Sequence, residues 1–295
     1  MSNSEKIPKV VHQTYASTED LSQKIIQKNF LLENLNHDYK FEYYDNERME
    51  NWMRENSTDS QFQIFSSINP KYGAARADFF RYILIYKVGG IYLDIKSTSL
   101  VPFRQIINST DEFLISKWQR NSENGSRLFG HHKELLKLDI DEYQQWFLIS
   151  KPNHPVFSEI INTVSERILN LSAFKRAKFG RLGVLELTGP IVFTKVVVNS
   201  LNLGNIREID SYAEGLRYKT LSQGEELVYR NSSAPHYSEI FEPIVLHKFK
   251  IIDRFYTLVN VFLLQWYQQL NLRYFLIYRK LHKQLLDYRI NKSQS

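Results

Sequence analysis

Hydrophobic and polar positions change rhythm several times along the first 250 residues. The opening stretch KIPKVVHQTY sets Pro8 before a β-branched pair, Val10 and Val11, then turns polar. That pattern predicts a buried strand whose polar exit leads into a site. Residues 19–36 carry Leu21, Ile25, Leu32 and Leu35 at helical spacing, and YKFEYYD then alternates like a strand, so the chain opens β-α-β. From Asn69 to Val88 the spacing predicts a helix with Phe79, Ile83 and Tyr86 on one stripe, stopped by VGG, and GIYLD follows at once as a strand. Further on, DEFLISKW reads as a strand. YQQWFLISKPNHPVFSEIINTVSERIL reads as an apolar segment, a Pro-bounded turn and a helix, and LTGPIVFTKVVVNSL as a turn opening another helix. PIVLHKFK is a last strand candidate. Strands and helices mixed in this way predict one α/β domain over residues 1–250.

The rhythm breaks at residues 251–295, expected to be a C-terminal aromatic and basic helical extension. Residues 255–272 carry no charge, yet Asn260, Gln265, Gln268, Gln269 and Asn271 make them too polar for an easy membrane span. Arg273, Arg279, Lys280, Lys283, Arg289 and Lys292 then stand against a single acid, Asp287. Two readings stay open: a helix lying on an anionic bilayer, or a helix pair packed on the domain with a solvated basic face.

The 43% hydrophobic and 24% charged residues are ordinary globular usage and exclude disorder over most of the chain, whereas 14% aromatic is rich enough to furnish rings at a site. A formal charge of +6 favours anionic partners such as a nucleotide diphosphate or a membrane surface. No groove-reading module accompanies it, so nucleic acid is not an expected partner. The absence of cysteine removes disulfides, thiolate metal sites and cysteine nucleophiles. MSNSEKIPKVVHQTY holds no apolar run long enough for a signal peptide or anchor, which makes a cytoplasmic location the expectation, peripheral to the cytoplasmic membrane face if the tail binds lipid.

Candidate chemistry gathers around residue 90. Asp78 and Arg81 are i, i+3 on a predicted helix and project together from a face roughly away from Phe79 and Ile83, a pair suited to a polyhydroxylated ligand. Gly89 and Gly90 then turn the chain, and a strand delivers Asp94 at its end, where α/β sheets commonly bind ligands. Two residues later stands Lys96.

Taken together, IPKVVHQTY and ARADFFRYILIYKVGGIYLDIK, followed in order by FLISKPNHPVF, LTGP and VLHK, resemble the DXD-containing glycosyltransferases. That family includes Och1-like mannosyltransferases and bacterial capsule enzymes, with a more distant likeness to glucosylating clostridial toxins. The resemblance implies a GT-A-like fold and transfer of a sugar from a UDP- or GDP-sugar to a glycan or lipid-linked acceptor, with retention of configuration. By position it puts His12, Gln13, Thr14 and Tyr15 along the nucleotide pocket, Asp78 and Arg81 on the donor sugar, and Tyr92 beside the donor. Asp94, the first acid of the motif, would bind the ribose or a metal-bound water. Gln144 or Gln145 falls near a polar position of the family, and His247 aligns with a late histidine. Glu186 is a further carboxylate near LTGP, and Trp118, Trp146 and Tyr237 are rings on which an acceptor sugar could stack.

Lys96 stands where the family has its second acid, and an ammonium cannot ligate a cation. The family's divalent cation, Mn²⁺ or Mg²⁺, would then rest on Asp94, the diphosphate and waters. Alternatively Lys96 itself neutralises the diphosphate, or transfer is lost and a nucleotide-sugar or glycan-binding protein remains. A less favoured rival is a haloacid dehalogenase-like phosphatase, whose phosphoaspartate motif IYLDIKST echoes; that motif also wants an acid at the position of Lys96.

Overall fold

The computed structural model describes residues 6–17, 21–118, 130, 132–171, 180–218, 239–247 and 251–263. Its first half runs β1 (Val10–Thr14), α1 (Gln23–Leu35), β2 (Lys40–Tyr44), α2 (Asn46–Asn56), α3 (Asp59–Ser67), α4 (Gly73–Val88), β3 (Gly90–Leu93), β4 (Thr98–Ser99) and α5 (Phe103–Ile106). Its second half runs β5 (Phe113–Ile115), α6 (Lys133–Leu136), β6 (Phe147–Ser150), α7 (Pro155–Leu169), α8 (Gly180–Leu187), α9 (Pro190–Asn199), β7 (Ile206–Glu208) and β8 (Leu216–Arg217). A last helix, α10, spans 251–263.

The predicted β-α-β opening is present, as are the helix ending at VGG, the strand after it, and the elements around FLIS and LTGP. The pattern had no reading for residues 46–67, yet their starts are marked by capping chemistry. The Asp45 side chain accepts from the Arg48 amide at 2.7 Å, and Thr58 and Gln61 form a reciprocal capping box. PIVLHKFK does not make a strand among its described residues. Val245 forms an isolated bridge to Ile68, and the segment otherwise attaches through side chains, with Asn69 Nδ2 donating to the Pro243 carbonyl at 3.0 Å.

Six strands form one sheet in the order β2-β1-β3-β6-β5-β7. β6 runs antiparallel to both its neighbours, and the other pairs are parallel. From β1 the chain crosses through α1 to β2 on one side, then returns past β1 to place β3 on the other. Such a reversal separates the connections at the carboxyl ends of β1 and β3, the place where open α/β sheets commonly bind ligands.

Alternation along the strands divides the core between two faces. Val11, Ile91, Leu93, Phe147 and Ile149 join Leu32 and Phe103 on the α1 and α5 side. Tyr92, Leu148, Phe113 and Ile115 join α4, α7, α8 and α9 on the other. Helix α4 is buried on every side, from Ala75 and Arg76 through Asp78 to Ile85. This corrects the expected amphipathic stripe: Asp78 and Arg81 do lie together, but inside the protein, because the sheet covers one side of α4 and α2, α7 and α8 cover the rest.

The α4–β3 turn requires glycine. Gly90 has φ +93°, and a Cβ there would meet the Val10 carbonyl oxygen and Cγ1 at 2.6 Å. Gly90→Ala is expected to destabilise the protein by about 2 kcal/mol or more, read as a lowered denaturant midpoint. An unchanged midpoint would mean that this turn can move without disturbing β1.

Candidate active site

The carboxyl ends of β1 and β3 are where several of the residues singled out in the sequence meet. Arg81 reaches it from α4, pairing through Nη2 with Asp78 Oδ1 and donating from Nη1 to Asp94 Oδ1 at 3.3 Å. The guanidinium carbon stands 5.1 Å from the centre of the Tyr92 ring. Arg81 is 5% exposed, and its Nε–H is buried with no partner in the protein. Burial alone would lower the affinity of this guanidinium for its proton, but Asp78 foremost, then Tyr92, Tyr82 and Asp94, outweigh it and push it up.

Asp78 is held at both oxygens, since Thr188 Oγ1 donates to Oδ2 at 3.0 Å. Burial pushes its carboxyl up to about 6 against the pull of Arg81 and Thr188. Tyr82 closes the back of the site, its hydroxyl lying 2.8 Å from the Thr188 carbonyl and 2.5 Å from Gln145 Oε1. Gln145 therefore belongs to this cluster. Gln144 faces elsewhere, donating to the Lys117 carbonyl at 2.9 Å and accepting from Ser211 Oγ at 2.9 Å. Thr188 and Tyr82 were missed in the sequence, although LTGP was noted and Tyr82 adjoins Arg81.

Asp94 follows β3 directly, its amide donating to the Trp146 carbonyl at 2.8 Å. The Tyr92 hydroxyl lies 3.2 Å from Asp94 Oδ1 and 2.8 Å from Thr14 Oγ1, so a buried phenol ties the ends of the two strands. The Asp94 side chain is 32% exposed against 9% for Asp78, which makes it the carboxylate of the pair that faces solvent.

Asp94 to Ser97 form a tight turn closed by the Ser97 amide on the Asp94 carbonyl at 2.8 Å, with Ile95 buried and Lys96 half-buried. From the other side of the sheet, Lys28 Nζ on α1 donates to the Ser97 carbonyl at 2.8 Å. Burial lowers the Lys28 ammonium to about 7. Gln13 Nε2 also supports the turn, 3.4 Å from the Asp94 carbonyl, while its buried Oε1 lacks a partner.

The remaining candidates separate. His12 lies beneath the site, its Nε2 3.2 Å from the Gly89 carbonyl and its Nδ1 3.4 Å from the Tyr44 hydroxyl, and burial lowers its imidazole to about 4. Tyr15 continues from β1 with its amide on the Tyr44 carbonyl at 3.0 Å and its ring half-buried. The His247 amide donates to Asp253 Oδ1 at 2.9 Å, and the Glu186 carbonyl accepts from Arg167 at 2.8 Å. Trp118 and Trp146 pack on Tyr218 at 5.4 and 5.5 Å, with Trp146 next to Asp94 through the amide contact above. Tyr237 lies outside the described residues.

Among the described residues no three His, Cys, Asp or Glu side chains gather to hold a metal. Asp78 is buried and engaged at both oxygens by Arg81 and Thr188, and Asp94 is the more solvent-exposed carboxylate of the two. One carboxylate fits Mg²⁺ or Mn²⁺ held mainly by diphosphate oxygens and water, and does not fit a cage made by the protein.

Residues 9–114 match the family described as glycosyltransferase sugar-binding region containing DXD motif. The chain is 25% identical over 209 residues to an initiation-specific alpha-1,6-mannosyltransferase of Schizosaccharomyces pombe, covering 66% of this chain and 49% of the relative. It is 33% identical over 89 residues to inositol phosphoceramide mannosyltransferase 3 of the same organism, covering 30% of this chain and 24% of the relative. The chain thus spans half or less of the length of these two relatives. Among solved structures it resembles PaToxG glycosyltransferase at a TM-score of 0.47 and 17% identity, over 76% of this chain and 83% of that one. The segment that carries β1, α4, β3 and the linked Asp78, Arg81 and Asp94 thus matches the sugar-binding region of DXD-containing glycosyltransferases, with a lysine two residues after Asp94.

Proposed function

We propose that this chain is a glycosyltransferase of GT-A-like fold that moves a hexose from a UDP- or GDP-sugar to a glycan or lipid-linked acceptor, with retention of anomeric configuration. The observation that carries the reading is the joining of Asp78, Arg81, Tyr92 and Asp94 at the carboxyl ends of two parallel strands, inside the matched segment. Named mannosyltransferases among the relatives support a hexose donor.

Each residue then has a role. Arg81 is fixed by two carboxylates, so its positive charge is held in place for a sugar or phosphate oxygen before the donor arrives. Asp78 orients Arg81, and its remaining lone pairs accept from a sugar hydroxyl. Asp94 receives ribose hydroxyls or the water shell of an ion, with Tyr92 and Thr14 holding its position. A bound divalent cation supplies positive charge for the leaving diphosphate. Lys96 adds a point charge two residues from Asp94, on a turn that Lys28 and Gln13 brace from behind.

The experiment is donor hydrolysis by purified protein across a panel of UDP- and GDP-sugars, with Mn²⁺, Mg²⁺ or EDTA, beside Asp94→Ala and Lys96→Ala. At least one donor should turn over, and Asp94→Ala should lower that rate by on the order of 100-fold or more. Turnover that survives EDTA and is lost in Lys96→Ala would assign diphosphate neutralisation to the lysine. Turnover that needs Mn²⁺ and tolerates Lys96→Ala would assign it to the ion. Binding of a donor with neither hydrolysis nor transfer to an acceptor would replace the enzyme reading by a binding protein, and no binding of any donor would overturn both.

A further inference from the structure

Helix α10 is amphipathic the wrong way round for a helix packed on a soluble domain. At 100° per residue, Ile251, Phe255, Leu258 and Phe262 fall within about 60° of one another. All four face solvent, at 76%, 61%, 70% and 67% exposed. On the opposite side of the same helix Asn260 is 1% exposed and donates from Nδ2 to the Phe241 carbonyl at 2.9 Å. The protein thus binds this helix through a polar contact and turns a stripe of two phenylalanines, a leucine and an isoleucine outward. The first turn is fixed in this orientation, because the Asp253 carboxylate accepts the His247 amide.

We infer that this outward stripe is a membrane-docking surface for an anionic bilayer. Charge argues for lipid over an apolar protein partner. Arg254 is exposed beside the stripe, Lys248 and Lys250 precede it in sequence, and residues 273–292 add six basic side chains against Asp287 alone. Aromatic and aliphatic residues flanked by Lys and Arg, on a helix whose polar side is turned to the protein, suit insertion into the headgroup boundary of a negatively charged leaflet. The one stretch among the described residues long and apolar enough to cross a bilayer, Gly180–Asn199, is mostly buried as α8 and α9 and does not compete for this role.

Placement adds a consequence. Segment 240–246, which holds α10 through Phe241, packs on the amino-terminal end of α4, where the Tyr72 hydroxyl donates to the Glu242 carbonyl at 2.8 Å and the Asn69 amide to the Ile244 carbonyl at 2.7 Å. Because α4 reverses into β3 through Gly89 and Gly90, its amino-terminal end lies at the same end of the sheet as Asp94. The docking stripe therefore sits toward the end of the sheet that carries Asp94. Lipid binding is independent of the transferase reading, so either can fail alone.

The test is co-sedimentation of the full chain with phosphatidylcholine vesicles, with and without phosphatidylglycerol, at low and high salt, beside the double variant Phe255→Ser/Phe262→Ser. Both phenylalanines are exposed, so folding should be unchanged, as circular dichroism would confirm. The wild type is expected to sediment with the anionic vesicles at low salt, and the double variant at least about tenfold less. Failure of the wild type to bind overturns the proposal. So does undiminished binding by the double variant, which would leave the basic tail acting without the stripe. A concentration-dependent dimer lost in the double variant, with no vesicle binding, would assign the stripe to a second copy of this chain and also overturn it.

Discussion

Arg81→Met is expected to lower donor turnover by on the order of 1000-fold and to destabilise the protein by about 3–5 kcal/mol. Methionine approximates the stem of arginine and removes the guanidinium, so the change isolates the charge and its hydrogen bonds. In the native site that charge lies between Asp78 and Asp94 and over the face of Tyr92. Without it, Asp78 remains 6% exposed with Thr188 as its contact from α8–α9, and an ionised carboxylate left unpaired there is the costly outcome. The group escapes part of that cost by taking up a proton, which it already does more readily than an ordinary aspartate.

Arg81→Lys separates the two effects. Lysine keeps a positive charge, so stability should recover in large part, but it lacks the fork that serves two carboxylates at once. Turnover should therefore stay well below wild type while the denaturant midpoint approaches it. Turnover of Arg81→Met within tenfold of the wild type would remove Arg81 from the chemistry and leave it a structural ion pair.

Much of this site could be read in the sequence because its residues fall in short order along one continuous stretch. Asp78, Arg81, Tyr92 and Asp94 span a helix, a glycine turn and a strand, and local spacing alone places them on adjoining ends. What spacing could not say is which surroundings bury them. The pair expected on a face of α4 away from Phe79 and Ile83 is an interior one because α4 is packed by α2, α3, α7 and α8 as well as the sheet. Thr188 completes Asp78 from 110 positions away and Lys28 braces the turn at Ser97 from 69 positions before it, and neither relation leaves a periodic signal. The surroundings of His12 were likewise beyond local spacing: the register His12↔Tyr92 carries its ring to the α4 face, beside Tyr44. The strand expected at PIVLHKFK contributes Ile244 and Val245 to the core by a single bridge, because hydrophobic burial there comes from packing on α4.

Acidification should weaken this protein well before its surface carboxylates are all protonated. His12 is 1% exposed and His154, which precedes α7 against the ring of Phe113, is fully buried; burial holds both imidazoles down at about 4, helped at His154 by Lys151. Unfolded, each would take up its proton near pH 6.5. The unfolded chain therefore binds more protons than the native one between pH 6.5 and 4, and stability falls as pH drops through that window, by on the order of 3 kcal/mol for each histidine. Asp78 acts in the opposite sense. Its folded carboxyl protonates at about 6 while the unfolded one waits until near 3.8, so the native state gains a proton first and recovers on the order of 3 kcal/mol. Two histidines against one aspartate leave a net loss of about 3 kcal/mol between pH 6.5 and 4. Urea midpoints measured at pH 7.5 and 4.5 should differ accordingly, and His154→Gln, which cannot charge, should bring the two midpoints closer. Equal midpoints for the wild type would mean that the two rings accept protons in place, through a rearrangement that reaches water.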